Sequence, residues 1–256
     1  MAKVSRREKR EKKLIAIKEF ETVKAQNDPT MIDIHFTQPS NKPFECLTDK
    51  QELHKHSLLH DKITIAIGPA GTGKTYLSSC IAADLYKQGH FKTIIMTRPT
   101  VEVGKSLGYL PGELEEKYAP YLKPFKKGLI ERLGSNKFIA DFNRKIFAEP
   151  LQYMRGETYD NCIMLLDEAQ NATITEMKMF LTRVGINSKI FISGDIGQSD
   201  LELKPGEVSG LDWFIWQIKA QNKPYEIIEY YKNDSVRSDL CLDMLDIIEN
   251  EKHIPK

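Results

Sequence analysis

Residues 63–75 of this 256-residue chain read ITIAIGPAGTGKT. A short β-branched run meets a glycine-rich loop that matches G-x-x-x-x-G-K-[ST], and the helical stretch 75–87 follows. In this context, glycines let backbone N–H groups surround phosphates, and the helix N-terminus adds partial positive charge. We therefore predict a phosphate-binding site formed by Gly68, Pro69, Ala70, Gly71, Thr72, Gly73, Lys74, Thr75 and Tyr76.

Further short apolar runs alternate with helical stretches along the rest of the chain. Strands that are apolar on both faces and alternate with helices predict an α/β fold with a parallel sheet covered by helices. The other predicted strands cover 93–96, 162–166, 189–192 and 225–231, and the helices cover 48–59, 75–87, 175–184 and 211–220. About 60 residues separate the strands near 97 and 162, more than a crossover helix needs, so we expect substrate contacts there.

The basic N-terminal segment differs from the rest of the chain. The whole chain carries 37 basic and 36 acidic side chains, whereas residues 1–13 carry seven basic and two acidic ones. A basic arm can bind polyanions, although it is more often a solvated helix start. We predict a helix and strand extension over residues 1–45 and one domain over 46–256. No apolar run approaches the ~20 residues of a spanning helix, so no membrane segment is expected.

The spacing of the cysteines and histidines predicts neither a metal site nor a disulfide framework. The four cysteines are far apart and form no C-x-x-C pair, which favours reduced thiols in a cytoplasmic protein. Three histidines, His54, His56 and His60, cluster in one predicted helix. Without a further ligand to complete a metal site, we interpret them as one solvated helix face.

An acidic pair directly follows a buried strand. Residues 162–166 lead into Asp167 and Glu168. An aspartate at this place can hold Mg²⁺ together with Thr75, and an adjacent glutamate can orient or deprotonate an attacking water. A third strand ends before Gln198, which we predict to sense a γ-phosphate. Nucleotide-hydrolysing motors carry such a glutamate, and small GTPases and kinases usually do not.

These residues belong to a wider set of segments that resembles the PhoH family of P-loop ATPases. The resemblance covers roughly residues 44–250 and includes GPAGTGKTYL (68–77), DEAQN (167–171), SGL (209–211), DSVR (234–237) and two longer segments at 98–124 and 177–201. It implies a RecA-like core related to superfamily 1 helicases, with ATP and Mg²⁺ as cofactors. Lys105 and Lys127 stand where the family has acidic residues, and Ser238 stands where a histidine is usual.

Two further residues obtain a role from this resemblance. Gln51 stands where related helicases have a glutamine that reads adenine, and a lone glutamine on a helix is otherwise usually solvated. Arg237 stands where the family has an arginine suited to stabilising charge on the γ-phosphate. A surface arginine on the last helix is the alternative for Arg237. The predicted catalytic set is therefore Lys74, Glu168, Gln198 and Arg237.

A basic and aromatic segment lies within the long connection. Residues 117–127, KYAPYLKPFKK, interleave lysines with Tyr118, Tyr121 and Phe125. Lysines that follow a phosphate backbone and aromatic rings that stack on bases can hold a single strand. In the alternative, the rings lie in the core and the lysines face water. Arg98 stands where related helicases contact the strand, and together these features favour single-stranded nucleic acid, RNA before DNA.

The chain length bears on how such an ATPase would work. Superfamily 1 helicases use two RecA-like domains, and this chain has room for one. A neighbouring subunit would then supply the opposing surface, which predicts a ring, with a hexamer as the expected form and Arg237 at the next subunit's nucleotide. The main hypothesis is a nucleic-acid-coupled ATPase of the helicase or translocase kind. An ATP-controlled oligomeric module that recruits a protein is the alternative, and a small-molecule phosphotransferase is less favoured.

Overall fold

The computed structural model describes residues 37–99, 122–201 and 203–238, with isolated positions between 240 and 247. The predicted helix and strand in residues 1–36, and most of the segment 98–124, lie outside this described part. The helices are α1 Asp49–His60, α2 Lys74–Lys87, α3 Lys123–Leu133, α4 Ser135–Asp141, α5 Ile174–Leu181 and α6 Gly210–Ala220. The strands are β1 Ile63–Ile67, β2 Thr93–Thr97, β3 Ile146–Ala148, β4 Cys162–Leu166, β5 Lys189–Gly194 and β6 Ile227–Glu229.

The six strands form one parallel sheet in the order β3-β2-β4-β5-β1-β6. The phosphate-loop strand β1 lies between β5 and β6, and β4 lies between β2 and β5. The carboxyl ends of β1, β4 and β5 therefore meet at one edge of the sheet, where ligands bind in open α/β folds. The predicted α/β class is confirmed.

Apolar side chains cover both faces of the sheet. In β2, Ile94 and Met96 pack on one face with α2 and α3, whereas Ile95 packs on the other face with α5 and α6. Successive side chains of a strand point to opposite faces, so a strand buried on both faces must be apolar throughout. Burying each such side chain stabilises the fold by about 1.5–3 kcal/mol.

The five predicted strands are present, with bounds that differ by up to two residues. A sixth, β3, is a short edge strand that was not predicted, and it lies with α3 and α4 inside the long connection. Helix α1 begins after Thr48, whose hydroxyl caps the helix by accepting a hydrogen bond from the Gln51 N–H. The described part of this connection, residues 122–161, thus contributes α3, α4 and the edge strand β3 to the fold.

Helix α3 packs closely on α2, the helix that follows the phosphate loop. A Cβ placed on Gly128 of α3 would lie 2.8 Å from the Ser79 Cβ and 2.9 Å from the Tyr76 carbonyl oxygen. The buried Arg132 of α3 pairs with Asp84 of α2 at 2.8 Å. Since residues 37–42 in turn contact the end of α3, the described part of the extension lies against the domain.

The histidine prediction was wrong for one residue. His54 is buried, and its Nδ1 lies 3.0 Å from the Tyr230 hydroxyl, whereas His56 and His60 are not buried. Burial, with a smaller contribution from the Lys74 charge, lowers the pKa of His54 from 6.5 to about 3. His54 is therefore a neutral core residue that joins α1 to the end of β6.

None of the helices in the described part of the chain combines the length and apolarity that a bilayer crossing requires. All four cysteines are present as free thiols.

Candidate functional site

The phosphate loop connects β1 to α2 through three glycines with positive φ. Gly68, Gly71 and Gly73 have φ values of 129°, 88° and 86°, a backbone region that L side chains rarely adopt. At Gly68 and Gly71 a Cβ would also overlap Tyr230 and Arg237, respectively. The loop therefore requires glycine for its turns and for close packing against the segment 230–237.

Lys74 turns back into its own loop. Its Nζ donates to the carbonyl oxygens of Gly68 at 2.6 Å and Pro69 at 2.8 Å, and it is 9% exposed. Burial lowers the pKa of Lys74, an effect that the charges of Asp195 and Asp167 partly offset. The ammonium thus lies at the centre of the loop, where a bound phosphate would supply the missing countercharge.

Asp167 lies at the end of β4 and contacts the first turn of α2. The Thr75 hydroxyl donates to its Oδ1 at 2.6 Å, and the Ser193 hydroxyl at the end of β5 donates to the same oxygen at 3.2 Å. Burial raises the pKa of this carboxyl, although Arg98 and the Thr75 hydrogen bond oppose the effect. Thr75 and Asp167, the two residues predicted to hold Mg²⁺, thus lie in contact, and their role as cation ligands stays a prediction.

A divalent cation suits this pair of residues. A hydroxyl and a carboxylate oxygen are the hard donors that Mg²⁺ prefers, and Mg²⁺ usually binds one or two carboxylates together with substrate phosphates and waters. No group of three or more histidine, cysteine, aspartate or glutamate side chains that could hold a metal ion occurs among the described residues. Thr75 and Asp167 would therefore hold a cation that arrives with a phosphate ligand.

Glu168 is held from two sides. Its Oε1 accepts a hydrogen bond from the Arg98 Nη2 at 2.7 Å, and its Oε2 accepts one from the Gln170 Nε2 at 2.6 Å. The Arg98 Nε also lies 3.5 Å from the Asp167 Oδ2. Glu168 has a φ of 52°, in the left-handed region that is uncommon for residues with a side chain. Both contacts were missed from the sequence.

Gln170 connects the acidic pair to the segment after β5. It is 2% exposed, its Oε1 accepts from the Asp195 N–H at 2.9 Å, and its Nε2 also lies 3.4 Å from the Gln198 carbonyl oxygen. The side chain of Gln198 is exposed at the rim of the site. Gln170 lies within the segment DEAQN that carried the resemblance, which is the one signal that marked it.

Arg237 lies beside the phosphate loop of its own chain. The Val236 N–H donates to the Gly71 carbonyl oxygen at 3.0 Å, and the Arg237 side chain packs against Gly71. The positive charge of Arg237 also contributes to lowering the pKa of Lys74. The sequence analysis placed Arg237 at the next subunit's nucleotide, whereas the segment 232–236 brings this side chain to the phosphate loop of its own chain.

Gln51 is buried under the phosphate loop. Its Nε2 donates to the Thr72 carbonyl oxygen at 3.0 Å, and its Oε1 accepts from the Leu47 N–H at 2.8 Å. The side chain is 4% exposed, so it is not a solvated helix residue. In this arrangement Gln51 braces the loop, and the adenine-reading role remains a prediction.

Two adjoining cavities open at the loop. The first, of about 350 Å³, is lined by Lys74, Thr75, Asp167, Glu168 and Gln198, and Lys123 and Lys127 of α3 line its other side. The second, of about 610 Å³, is lined by Phe44, Gln51, Gly71, Tyr76 and Lys127 among others. The two cavities share Gly71, Gly73, Tyr76 and Lys127 as lining residues, so they adjoin at the phosphate loop.

The basic and aromatic segment is only partly described. Phe125 is 2% exposed and belongs to the core, so the base-stacking role is wrong for this ring. Tyr118 and Tyr121, like Lys105, lie outside the described residues. Lys127 is exposed, with its Nζ 5.3 Å from the centre of the Tyr76 ring.

Most of the chain is similar in sequence to known proteins. The PhoH-like protein of Bacillus subtilis is 41% identical over 211 residues, which cover 82% of this chain and 65% of that protein. Protein PhoH of Escherichia coli K12 is 39% identical over 198 residues, 75% of this chain and 55% of that protein. The chain thus spans about 55–65% of the length of these relatives.

The fold is similar to that of solved structures, of which a phage protein is an example. The large terminase of a thermophilic bacteriophage superposes with a TM-score of 0.51 at 13% identity, over 82% of this chain and 51% of that chain. This likeness supports the RecA-like arrangement of the sheet and helices. The family model described as PhoH-like protein matches residues 44–249, which include every predicted site residue, and the chain therefore belongs to the PhoH family.

Proposed function

We propose that this protein hydrolyses ATP with Mg²⁺ and couples hydrolysis to single-stranded nucleic acid, RNA before DNA. The observation that carries the proposal is the 2.6 Å contact between the Thr75 hydroxyl and Asp167, with Glu168 at the same cavity. A phosphate loop with a cation-binding pair accounts for nucleotide binding. An adjacent glutamate is the additional group that hydrolysis requires.

Each side chain of the site has a part in the proposed reaction. Lys74 leaves the Gly68 and Pro69 carbonyl oxygens and pairs with the β- and γ-phosphates. Mg²⁺, held at Thr75 and Asp167, would neutralise charge that develops on the phosphates. Glu168 accepts a proton from the attacking water, and Arg237 stabilises negative charge on the γ-phosphate.

The second cavity suits the base of the nucleotide. The rings of Phe44 and Tyr76 lie 5.8 Å apart at its wall, and apolar rings are the usual neighbours of a planar base. Gln51 lies at the same wall, where a rotation of its amide would present a donor and an acceptor to adenine. Such a rotation would release the Leu47 and Thr72 contacts.

Basic side chains on α3 support a polyanionic partner. Lys123 and Lys127 are exposed beside the phosphate cavity, and the lysine-rich segment 117–127 includes both of them. Lysines placed in this way can follow a phosphate backbone. We assign base stacking to Tyr118 and Tyr121, since Phe125 is buried. The RNA preference and the helicase or translocase activity rest on the resemblance to the family's helicase relatives.

The assembly and location are further parts of the proposal. Arg237 lies at the loop of its own chain, so it gives no reason for a ring. A hexameric ring remains our proposal because one RecA-like core needs an opposing surface to move along a strand. A cytoplasmic location remains our proposal because the cysteines are free thiols. Light scattering that detects only monomers with ATP and Mg²⁺ would exclude the ring.

The ATP-controlled binding module is the second candidate. It is favoured by the contacts that hold Glu168 against Arg98 and Gln170, since a glutamate held in this way supports little turnover. In this account ATP binding closes an oligomer that recruits a protein partner.

Steady-state ATP hydrolysis by the full chain distinguishes the two candidates. We expect turnover that rises with single-stranded RNA, less with DNA of the same sequence, and that disappears in Lys74→Ala. A ring would also make turnover per subunit rise with protein concentration. ATP binding without turnover above the Lys74→Ala level, with or without RNA, would favour the binding module.

A further inference from the structure

Arg98 is placed to control the glutamate of the site. It directly follows β2, which pairs with β4, and its guanidinium spans both members of the acidic pair. The shorter contact, 2.7 Å, is with Glu168, and the longer, 3.5 Å, is with Asp167. A planar guanidinium that bonds a carboxylate fixes both its position and its orientation.

The guanidinium acts from outside the phosphate cavity. Among the described residues, those that line the cavity include Asp167 and Glu168 but not Arg98. The Arg98 side chain is 16% exposed, and the Glu168 side chain is 42% exposed. Arg98 would therefore not touch a bound γ-phosphate, and any effect on hydrolysis would pass through Glu168.

Both oxygens of Glu168 are engaged, and the two donors differ in kind. Gln170 is buried and its other amide atom accepts from the Asp195 N–H, so its position is fixed by the segment after β5. Arg98 is a charged donor at the start of the segment that enters the long connection. Of the two donors, Arg98 is the more exposed, since its side chain is 16% exposed and Gln170 is 2% exposed.

We propose that Arg98 is a positioning residue that holds Glu168 away from the attacking water until a strand phosphate takes over its guanidinium. This inference rests on the proposed function, since it concerns how the same site is regulated. Phosphate and carboxylate are alternative bidentate acceptors for arginine, so binding of a nucleic-acid backbone competes with the Arg98–Glu168 pair. Release leaves Glu168 with its Gln170 contact and free to rotate towards the water.

The test compares basal and RNA-stimulated hydrolysis in the full chain. Arg98→Gln keeps a polar side chain but removes the charged fork. Arg155→Gln is the control, because Arg155 is an exposed arginine that lines neither cavity. We expect Arg98→Gln to raise basal kcat about three- to tenfold at unchanged KM and to reduce the stimulation by single-stranded RNA to near one. Arg155→Gln should retain the wild-type basal rate and stimulation.

Two results would overturn the proposal. A fall in the basal kcat of Arg98→Gln would mean that Arg98 holds Glu168 in a productive position. Wild-type stimulation in Arg98→Gln would mean that the strand acts elsewhere. If Arg98→Gln does not fold by circular dichroism, Arg98→Lys provides the same comparison, with a smaller rise in basal kcat expected and the same two contrary results.

A failure of the proposed function is distinguishable from a failure of this inference. If the wild type neither hydrolyses ATP nor responds to RNA, the proposed coupling fails. Turnover that appears in Arg98→Gln, and disappears again when Glu168→Gln is added, would still support the restraint. Absence of ATP turnover in Arg98→Gln under the same conditions would overturn the proposed restraint of Glu168 by Arg98.

Discussion

Gly71 combines a positive φ with two contacts to the segment that carries Arg237. Its φ of 88° is unfavourable for a residue with a side chain, its carbonyl oxygen accepts from the Val236 N–H, and the Arg237 side chain packs against it. Gly89, just after α2, has a similar φ of 82° but no atom near the place of a Cβ. A comparison of substitutions at Gly71 and Gly89 therefore separates the effect of backbone strain from that of the contact with Arg237.

We predict different effects for alanine at these two positions. Left-handed backbone costs a residue with a Cβ about 1–2 kcal/mol, so both variants should be less stable than the wild type. Only Gly71→Ala also displaces Arg237, and its ATP affinity should fall about tenfold or more, whereas that of Gly89→Ala should not change. Calorimetric titration with ATP and Mg²⁺ measures this difference, and equal affinities would contradict the assigned contact.

At the residue scale, the sequence predicted identities better than contacts. The strand–loop–helix motif and the acidic pair predicted Thr75 beside Asp167, because parallel strands bring their carboxyl ends together. The partners of Glu168 were not predictable, since Arg98 and Gln170 reach it through side-chain rotamers that no spacing encodes. Gln51 was predicted to read adenine and His54 to face solvent, whereas both are buried. Their burial was not predictable, because the burial of a lone polar residue depends on tertiary packing.

Among the elements, α3 departs most from the sequence analysis. Residues 122–133 were assigned to a connection suited to substrate, whereas they form a helix that packs on α2 and carries Phe125 into the core. The strands β1, β4 and β5 were predictable because they are apolar throughout and bounded by turn residues. The three-residue strand β3 was not, since its pairing with β2 comes from the fold rather than from its own pattern.

The α2–α3 contact leads to a graded prediction at Gly128. A Cβ there would meet Ser79 and the backbone of α2 at 2.8–3.1 Å, so any larger side chain must separate the helices. We expect Gly128→Ala to lower stability by about 1 kcal/mol and Gly128→Val by about 2–3 kcal/mol, since overpacking typically costs 1–3 kcal/mol. Thermal unfolding should rank them in that order, and wild-type midpoints for both would show that the helices are not in contact.

For the whole molecule, the burial of His54 predicts acid sensitivity. The pKa of His54 is about 3 when folded and 6.5 when exposed, so the unfolded chain binds one more proton in this interval. The contribution of His54 to the free energy of unfolding is therefore fully present above about pH 6.5. It falls by up to about 1.4 kcal/mol per pH unit as the pH decreases towards 3. His54→Phe should have a shallower slope, since it keeps a ring and removes the titration.

Urea unfolding at pH 7, 6 and 5 measures this slope. His60→Gln is the matched control, because His60 lies exposed on the same helix, and its slope should equal that of the wild type. All titrating groups other than His54 and His60 are common to the three proteins and cancel in the comparison. An equal slope for His54→Phe and the wild type would contradict the burial of a neutral histidine.

The position of Arg237 bears on how subunits would share the site. Because Arg237 and Lys74 belong to the same site in one chain, a mixture of Arg237→Ala and Lys74→Ala should have no more ATPase activity than the two proteins measured separately. In a ring that shares Arg237 between neighbours, mixing would create intact sites and restore part of the activity. Recovery on mixing would therefore contradict the intrachain placement and revive the shared site.

Glu168, two residues after β4, is the proposed hydrolytic group for a nucleotide held by the phosphate loop, and single-turnover kinetics isolate its contribution. Single-turnover hydrolysis of ATP is compared in the wild type, Glu168→Gln and Glu157→Gln, an exposed glutamate elsewhere, with ATP and Mg²⁺ binding measured in parallel. We predict that Glu168→Gln binds ATP like the wild type but hydrolyses it about 10²–10⁴-fold more slowly, the usual loss with a general base, while Glu157→Gln is unaffected. Hydrolysis by Glu168→Gln at the wild-type rate would contradict the role of Glu168 as the general base.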